Sequence, residues 1–512
     1  HIDHDYGDEE LLAKYGAVEN ARLRLGRGAY DVVVLPPMLN LRSSTLRLLQ
    51  EFARCDGVIL QAGAAPRLID GRPAEEAAQF LRRSARPVME GMEWFKYGRL
   101  VEELVALGAR TVDVESDQPE SLCNLKVQHR TWGESDIFFL ANISRESIRA
   151  KVSLDVSTSG HIEEWDTSSG VARSLAPCTK GEPAALDLEW APGQAHVLVT
   201  APGETMAAVR DIPHVSRRLR PEWQGRRAQP NVLVLDVCRY RRRRTWSRKT
   251  AIWQAGEVLR KWIRKTGKPA RFAAQYAFHV SETDPPAGPI ELAVELGAGT
   301  EIRLNEESVP LHVTGDLLDP AIVRIPLPGV RPGANELDIS AEYADAGDFC
   351  CPWILGDFRV ATADNVTFVV EAPLEKVAIG AWPALGMPFY AGSVIYTAEI
   401  DLNEQDLREG VTLDMSGLKG AAEVKVNDQV VDQILWPPYQ CDVTGAARAG
   451  VNRIEIETAN TLRNLLGPHY EPREETMTGF SEESYRGLPC QPKRFLDYGL
   501  VRAPEILIGA PR

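Results

Sequence analysis

Two stretches of this chain spell nearly the same strand pattern, and the repeat constrains the fold more than any other feature. Residues 301–305 (Glu-Ile-Arg-Leu-Asn) followed by 333–339 (Gly-Ala-Asn-Glu-Leu-Asp-Ile) are echoed by 423–427 (Glu-Val-Lys-Val-Asn) followed by 450–456 (Gly-Val-Asn-Arg-Ile-Glu-Ile). Each copy is an alternating strand ending in an Asn-acid pair, Asn305-Glu306 or Asn427-Asp428. A second strand and a Gly-x-Asn turn into a third strand follow. Asn tolerates the left-handed backbone of a tight turn while its flanks alternate inward and outward, so each copy predicts a hairpin joined to a further strand. A period of roughly 120 residues suits a whole β-sandwich and is too long for a solenoid unit. The repeat predicts tandem sandwiches of one topology, with Asn305 equivalent to Asn427 and Asn335 to Asn452.

Upstream the grammar differs. Residues 31–35, closed by Pro36-Pro37, read as a short buried parallel strand; residues 41–54 carry Leu46, Leu49 and Phe52 at helical spacing, with Ser43, Ser44 and Thr45 placed to cap the helix. A second strand at 58–60 completes a βαβ unit of the flavodoxin-like or class I amidotransferase-like kind. Amidotransferase chemistry needs a Cys on a Gly-flanked strand-to-helix turn. Cys55, in Arg54-Cys55-Asp56-Gly57, falls at the helix-to-strand turn, the wrong end of such a sheet. Residues 75–107 read as helix broken at Pro87 and Gly91.

From Leu125 the period switches to two. Strands at 126–129, 136–142, 149–156, 162–166, 186–190 and 196–200 predict a small antiparallel sandwich. Beyond Pro202-Gly203, residues 231–238 read as a strand. Residues 247–266 read as a helix with Ile252, Ala255, Leu259, Trp262 and Ile263 on one face, stopped by Gly267 and Pro269. The expected organisation is multidomain and mainly β: a truncated α/β domain at 1–118, a small sandwich at 119–203, and larger sandwiches at 204–372 and 373–512.

No apolar run approaches the roughly 20 residues needed to cross a bilayer, so a soluble chain with no membrane partner is expected. The chain opens on His1 without the basic and apolar stretches of a secretory signal, and a leader or a larger N-terminal portion is expected to be missing. A net charge of −14 argues against nucleic acid as a partner. The basic run of Arg239, Arg241, Arg242, Arg243, Arg244, Arg248 and Lys249 is expected to be a solvated connection that pairs with acidic neighbours. Eight cysteines include no CxxC pair, and His4 between Asp3 and Asp5 sits at a frayed acidic terminus, so no metal site or cofactor is expected. There is no GxSxG elbow, HExxH helix or phosphate-binding Gly-rich loop, and no eightfold βα alternation that would present a carboxylate pair. No catalytic residue is therefore assigned.

Two aromatic stretches stand out, Gly386-Met387-Pro388-Phe389-Tyr390-Ala391-Gly392 and Leu435-Trp436-Pro437-Pro438-Tyr439. Phe389, Tyr390, Trp436 and Tyr439 are candidates for carbohydrate binding, since flat rings stack on pyranose C–H groups while nearby carboxylates and amides take hydroxyls. The alternative is that they plug the sandwich ends or a domain contact. Burial is the expectation for Trp436, and Tyr439 is left open.

These residues carry a resemblance. Residues 386–396, the turn at Asn427, the Trp-Pro-Pro-Tyr run and residues 452–464 resemble the C-terminal galactose-binding-like jelly-roll sandwich of large α-L-rhamnosidase-type enzymes, glycoside hydrolase family 106 and its relatives. Residues 231–240 and 355–358 look like the strands entering and leaving the family's preceding sandwich. His129-Arg130, residues 138–142 and Trp165-Asp166 are similar to its small sandwich, and residues 30–36 and 45–71 to the α/β domain after its barrel. The family's usual Asn-Gly turn is replaced here by Asn427-Asp428. The resemblance implies that catalytic carboxylates and calcium belong to a barrel preceding all these segments, and no position here matches them. It implies an accessory, non-catalytic region that supports a catalytic domain of the same polypeptide and helps hold polysaccharide. A free-standing carbohydrate-binding protein and a purely structural scaffold are the rival readings.

Overall fold

The computed structural model describes residues 2–89, 98–167, 170–203, 215–241, 244–345, 349–467, 469 and 491–509. It is mainly β and falls into two compact units, His1–Arg210 and Asp211–Arg512. Among the described residues no helix is long and apolar enough to cross a membrane.

In the first unit, three parallel strands, Val32–Leu35, Val58–Ala62 and Ala85–Met89, form a sheet in that order. The helices Ser43–Arg54 and Glu76–Ser84 connect them, burying Leu46, Leu49, Phe52 and Leu81. The expected strand-helix-strand unit is present and continues by one more helix and strand. The third strand lies where a broken helix was expected: Arg86-Pro87-Val88 lacks helical periodicity, and only pairing with 59–62 makes it a strand. Nor do Ser43, Ser44 and Thr45 cap their helix. Asp70 does so from a distant turn, its Oδ1 accepting the Ser43 N–H at 3.1 Å. Cys55 is the exposed C-cap residue of this helix.

The same unit holds two facing antiparallel sheets. One is Val112–Glu115, Ile148–Asp155 and Pro183–Trp190; the other is Leu125–Trp132, Ser135–Asn142, Ala195–Ala201, Gly160–Trp165 and Ala172–Cys178. Phe138, Leu140, Val152, Leu154, Ile162, Trp190 and Leu198 fill the space between. Val112–Glu115 places the start of this sandwich before residue 119, the expected boundary.

The second unit contains two sandwiches whose strands follow one plan. In the first, Asn231–Val234, Trp353–Gly356, Ile290–Glu295 and Asp319–Pro326 lie side by side. They face Val237–Arg241, Ala270–Val280, Gly333–Tyr343, Ala298–Leu304 and Glu307–Val309. In the second, Arg217–Leu219, Glu505–Ile508, Val411–Asp414 and Gln440–Asp442 face Gln224–Arg227, Ser393–Leu402, Gly450–Ala459, Ala421–Val426 and Gln429–Ile434. Taken in chain order, each sandwich visits its two sheets in the same sequence. Each has its own apolar core. The predicted helix is present as Ile252–Thr266, ended by Gly267 in the left-handed conformation at φ 63°.

One boundary changes. Arg217–Leu219 pairs with Glu505–Ile508, and Gln224–Arg227 pairs with Ser393–Leu402, so residues 217–227 belong to the second sandwich and not to the first. The first sandwich is thus inserted between the second and third strands of the other. Contiguous domains at 204–372 and 373–512 do not describe this pairing.

The repeated Asn residues fall on equivalent positions. Asn305 and Glu306 have φ of 51° and 73°, Asn427 and Asp428 of 51° and 67°, so both turns are left-handed at both central residues even with aspartate where the resembling family has glycine. Asn305 donates to the side-chain oxygen of Asn335 at 2.9 Å, and Asn427 to that of Asn452 at 2.8 Å. Asn335 and Asn452 in turn each donate to the carbonyl four residues back, at 2.7 Å in both copies. They accept the N–H of that same residue, Arg331 at 3.0 Å and Arg448 at 2.8 Å. Both amides are buried, 2% and 0% exposed, so each bond is made in a low-dielectric interior. Asn452→Asp would set a carboxylate against the carbonyls of Arg448 and Gly450 and is expected to destabilise the second sandwich by roughly 2–4 kcal/mol. Asp428→Gly, which relieves the positive φ, should stabilise it by up to about 1 kcal/mol. Thermal melts of the two variants should move in opposite directions.

Candidate functional site

The two aromatic stretches have opposite fates. Residues 386–392 cross between the sandwiches of the second unit through a turn closed by the Tyr390 N–H on the Met387 carbonyl, and Phe389 enters one core and Tyr390 the other. Phe389 is fully buried, edge-to-face with Phe368 and Phe495 at 5.0 Å each. Tyr390 packs at 5.4 Å on Trp382, and its hydroxyl donates to the Ser393 carbonyl at 2.6 Å. Burial raises its phenol pKa. Neither ring offers a face to a ligand, so these two candidates for sugar stacking are structural: they staple the cores together. Their adjacency in sequence, one large ring directly after another, was the available signal.

Residues 435–439 form the connection from one sheet of the second sandwich to the other. Ile434 is buried at the strand end, and the Met415 N–H to Tyr439 carbonyl bond at 2.8 Å fixes the far side. Tyr439 is half-buried against the core, and burial raises its phenol pKa. Trp436 is 46% exposed and Leu435 is 55% exposed. Trp436 was expected to be buried. It is not, because the neighbouring positions Ile434 and Cys441 already close the core.

The buried carboxylates are committed to structure. Asp136 receives His129 Nε2 at 2.9 Å and both the N–H and hydroxyl of Ser157. Asp406 closes a capping box at Asn403 and pairs with Arg217. Glu164 is held between His196 and Arg173. Burial works to raise its pKa, but the hydrogen bonds and charges of those two partners outweigh it and bring it to about 2. At the acidic N-terminal stretch, Asp3 accepts the His129 N–H at 2.7 Å and Asp5 the Tyr30 hydroxyl at 2.7 Å. Among the described residues no three His, Cys, Asp or Glu side chains are grouped to hold a metal ion.

Two further features that the sequence singles out have structural roles. Arg241 stacks on the Trp246 ring at 4.4 Å, Arg239 donates to the Ser247 carbonyl, and Tyr240 stacks on Phe272, while Arg242 and Arg243 lie outside the described residues. Burial pushes the thiols of Cys238, Cys350 and Cys441 up to about 12, which keeps them protonated and unreactive. Cys490 lies outside the described residues. A cavity of about 340 Å³ at the end of the first sandwich is walled by Pro285, Pro286, Pro289, Pro328 and Pro332 and presents one charged side chain, Arg331.

No family model and no curated protein matches the chain. Solved structures to which it is similar include α-L-rhamnosidases and other glycoside hydrolases. Against the rhamnosidase from Novosphingobium sp. PP1Y it is 16% identical with a TM-score of 0.44, over 98% of this chain and 36% of that one. Against the Streptomyces avermitilis α-L-rhamnosidase the values are 13% and 0.21, over 77% and 35%. Against a β-galactosidase from G. stearothermophilus they are 13% and 0.24, over 33% and 32%. The chain thus spans about a third of the length of each. At these values the likeness assigns neither an activity nor a substrate.

Two outcomes are expected. Phe389→Ala should destabilise by roughly 3–5 kcal/mol, whereas Trp436→Ala should cost less than about 1 kcal/mol, as read from denaturation midpoints. Glu164 has its folded pKa below the ordinary 4.5, so its contribution is present above about 4.5 and is lost as pH falls toward 2. Glu164→Gln should therefore lower stability by roughly 1–3 kcal/mol at pH 7 and by much less near pH 2, measured by chemical denaturation across that window.

Proposed function

We propose that this chain is an accessory, non-catalytic region of a glycoside hydrolase resembling the α-L-rhamnosidases of glycoside hydrolase family 106. On this reading its two galactose-binding-like jelly-roll sandwiches support a catalytic barrel contributed elsewhere in the polypeptide and help hold its polysaccharide. The order of the resembling segments, from the α/β domain through the small sandwich to the doubled sandwich, supports the family.

The observation that carries the accessory role concerns the carboxyl groups. A glycosidase acid must be held protonated near neutral pH, which requires burial to win over donors. Five carboxyl groups of the described residues are displaced the other way. Asp70 is lowered by Ser43, Asp364 by the N–H groups of Thr367 and Val366, Glu423 by Gln433 and Lys425, and Glu505 by Arg218 and Arg220. Glu164, the most displaced of them, stays ionised to about 2. These acids are anions at working pH, fitted to hold donors and not to protonate a leaving group.

A second reading, a free-standing carbohydrate-binding protein, is favoured by the exposed Leu435-Trp436 pair. Assay of the purified 512-residue chain against aryl α-L-rhamnoside and other aryl glycosides is expected to give no turnover. Turnover that survives re-purification and vanishes on mutating one acid of this chain would overturn the accessory role.

A further inference from the structure

Where the two sandwiches of the second unit meet, a groove of about 380 Å³ is left between the strand Gln224–Arg227, the Asp357 turn and the segment before Val377. That volume is within the roughly 300–1,000 Å³ of small-molecule sites, which favour such domain junctions. We propose that this groove is a glycan subsite that takes one neutral pyranose unit, a proposal that rests on the polysaccharide-holding role given above.

Three polar groups lining the groove, those of Gln229, Arg227 and Asp357, are already oriented, and Gln229 and Asp357 keep part of their capacity unspent. Gln229 has its amide fixed from one side: the Ser393 N–H donates to its Oε1 at 2.7 Å, and the Tyr390 hydroxyl lies 3.1 Å from the same oxygen. Gly392 is required beside it, since a Cβ there would lie 2.3 Å from that oxygen. With the carbonyl end anchored, the NH2 end is the free donor. Arg227 is tied to the Phe358 carbonyl at 2.8 Å and to one oxygen of Asp357, and only 12% of its side chain is exposed. The pairing leaves Asp357 Oδ2 as an open acceptor on a carboxylate that is 70% exposed. Arg226 and Glu375, both exposed, line the same groove as a second donor and a second acceptor. Leu374, 41% exposed, supplies an apolar surface.

The balance of these groups selects the ligand. Two guanidinium groups and two carboxylates give no net charge, so a phosphate or sulfate would meet Asp357 and Glu375, and a metal cation would meet Arg226 and Arg227. A sugar hydroxyl is at once donor and acceptor and suits alternating amide, guanidinium and carboxylate partners. The C–H face of a pyranose suits Leu374. Tyr390, one of the two rings that staple the cores, also helps hold the Gln229 amide, so this part of the groove is set before anything binds.

The test is calorimetric titration of the 512-residue protein with L-rhamnose, D-galactose, D-galacturonic acid, short neutral oligosaccharides and inorganic phosphate. A neutral sugar should bind, and Arg226→Ala and Glu375→Gln should each weaken it about tenfold or more without moving the melting temperature. Trp436→Ala should leave that affinity unchanged. Saturable sugar binding that survives both groove variants and is lost in Trp436→Ala would overturn the groove and leave the polysaccharide-holding role intact. Binding of phosphate or galacturonate in preference to neutral sugars would overturn the assigned ligand class. Binding of no sugar by the wild-type protein would overturn both the groove and that role.

Discussion

Each sandwich of the second unit depends on one buried amide bound to another. Asn335 and Asn452 are polar groups inside apolar cores, a placement that would destabilise the fold if their hydrogen bonds were not made. They are made completely: each side chain satisfies the N–H and carbonyl of the turn before its strand and receives the amide of the hairpin asparagine beyond. The hairpin asparagine then accepts the next backbone N–H, of Glu336 or Arg453. One network therefore fixes a hairpin turn, a neighbouring strand and the register between them. A slip by one residue would turn the alternating core residues of these strands to solvent and strand both amides, so register is specified twice.

The inserted topology places a further demand on the chain. Strands 217–227 can pair only once residues 393–508 have arrived, and the whole first sandwich lies between. Such pairings carry a large loop-closure cost. The contacts at the junction are of the kind that offsets it. Asn231, buried, donates to the carbonyls of both Phe358 and Gly386, Arg227 reaches Phe358 and Asp357, and Phe389 and Tyr390 enter separate cores. Lys493, 5% exposed, forms an ion pair with Asp236 at 2.8 Å and ties the returning chain to the first sandwich. The inserted sandwich is thus clasped by the strands on either side of it.

Much of this was legible in the sequence where local chemistry decides the structure. The asparagine turns, the 15-residue helix with its glycine stop, the first βαβ unit and the switch to period two at Leu125 are all written in neighbouring residues. What was not legible depends on distant partners. Ala85–Met89 is a strand because a parallel sheet is beside it, Asp70 caps a helix that begins 27 residues earlier, and residues 217–227 belong with strands that come after residue 393. The same limit applies to the candidate site. Aromatic residues near prolines were visible at once, but whether a ring faces a core or water depends on which neighbour fills the core first. Phe389 and Tyr390 fill theirs; Trp436 finds Ile434 and Cys441 already there.

Function is better sought in the groups the fold does not use than in those it does. Many acids of these sandwiches are consumed: buried Asp406 holds Arg217 and the Asn403 N–H, and the strand-face acids Glu423 and Glu455 lie beside Lys425 and Arg453. Groups spent in this way are costly to recruit for a ligand, because each contact to the ligand would break one within the protein. The free end of the Gln229 amide, the second oxygen of Asp357 and the exposed Arg226 and Glu375 carry no such cost. They also line one groove at the junction of two cores, which scattered surface charges on convex sheet faces do not. A duplicated sandwich gives two copies of the shared strands but only one junction, so a site built at the junction is a property of the pair. The proposed subsite therefore lies where the two copies differ in surroundings, while the shared asparagine networks serve the stability of each copy.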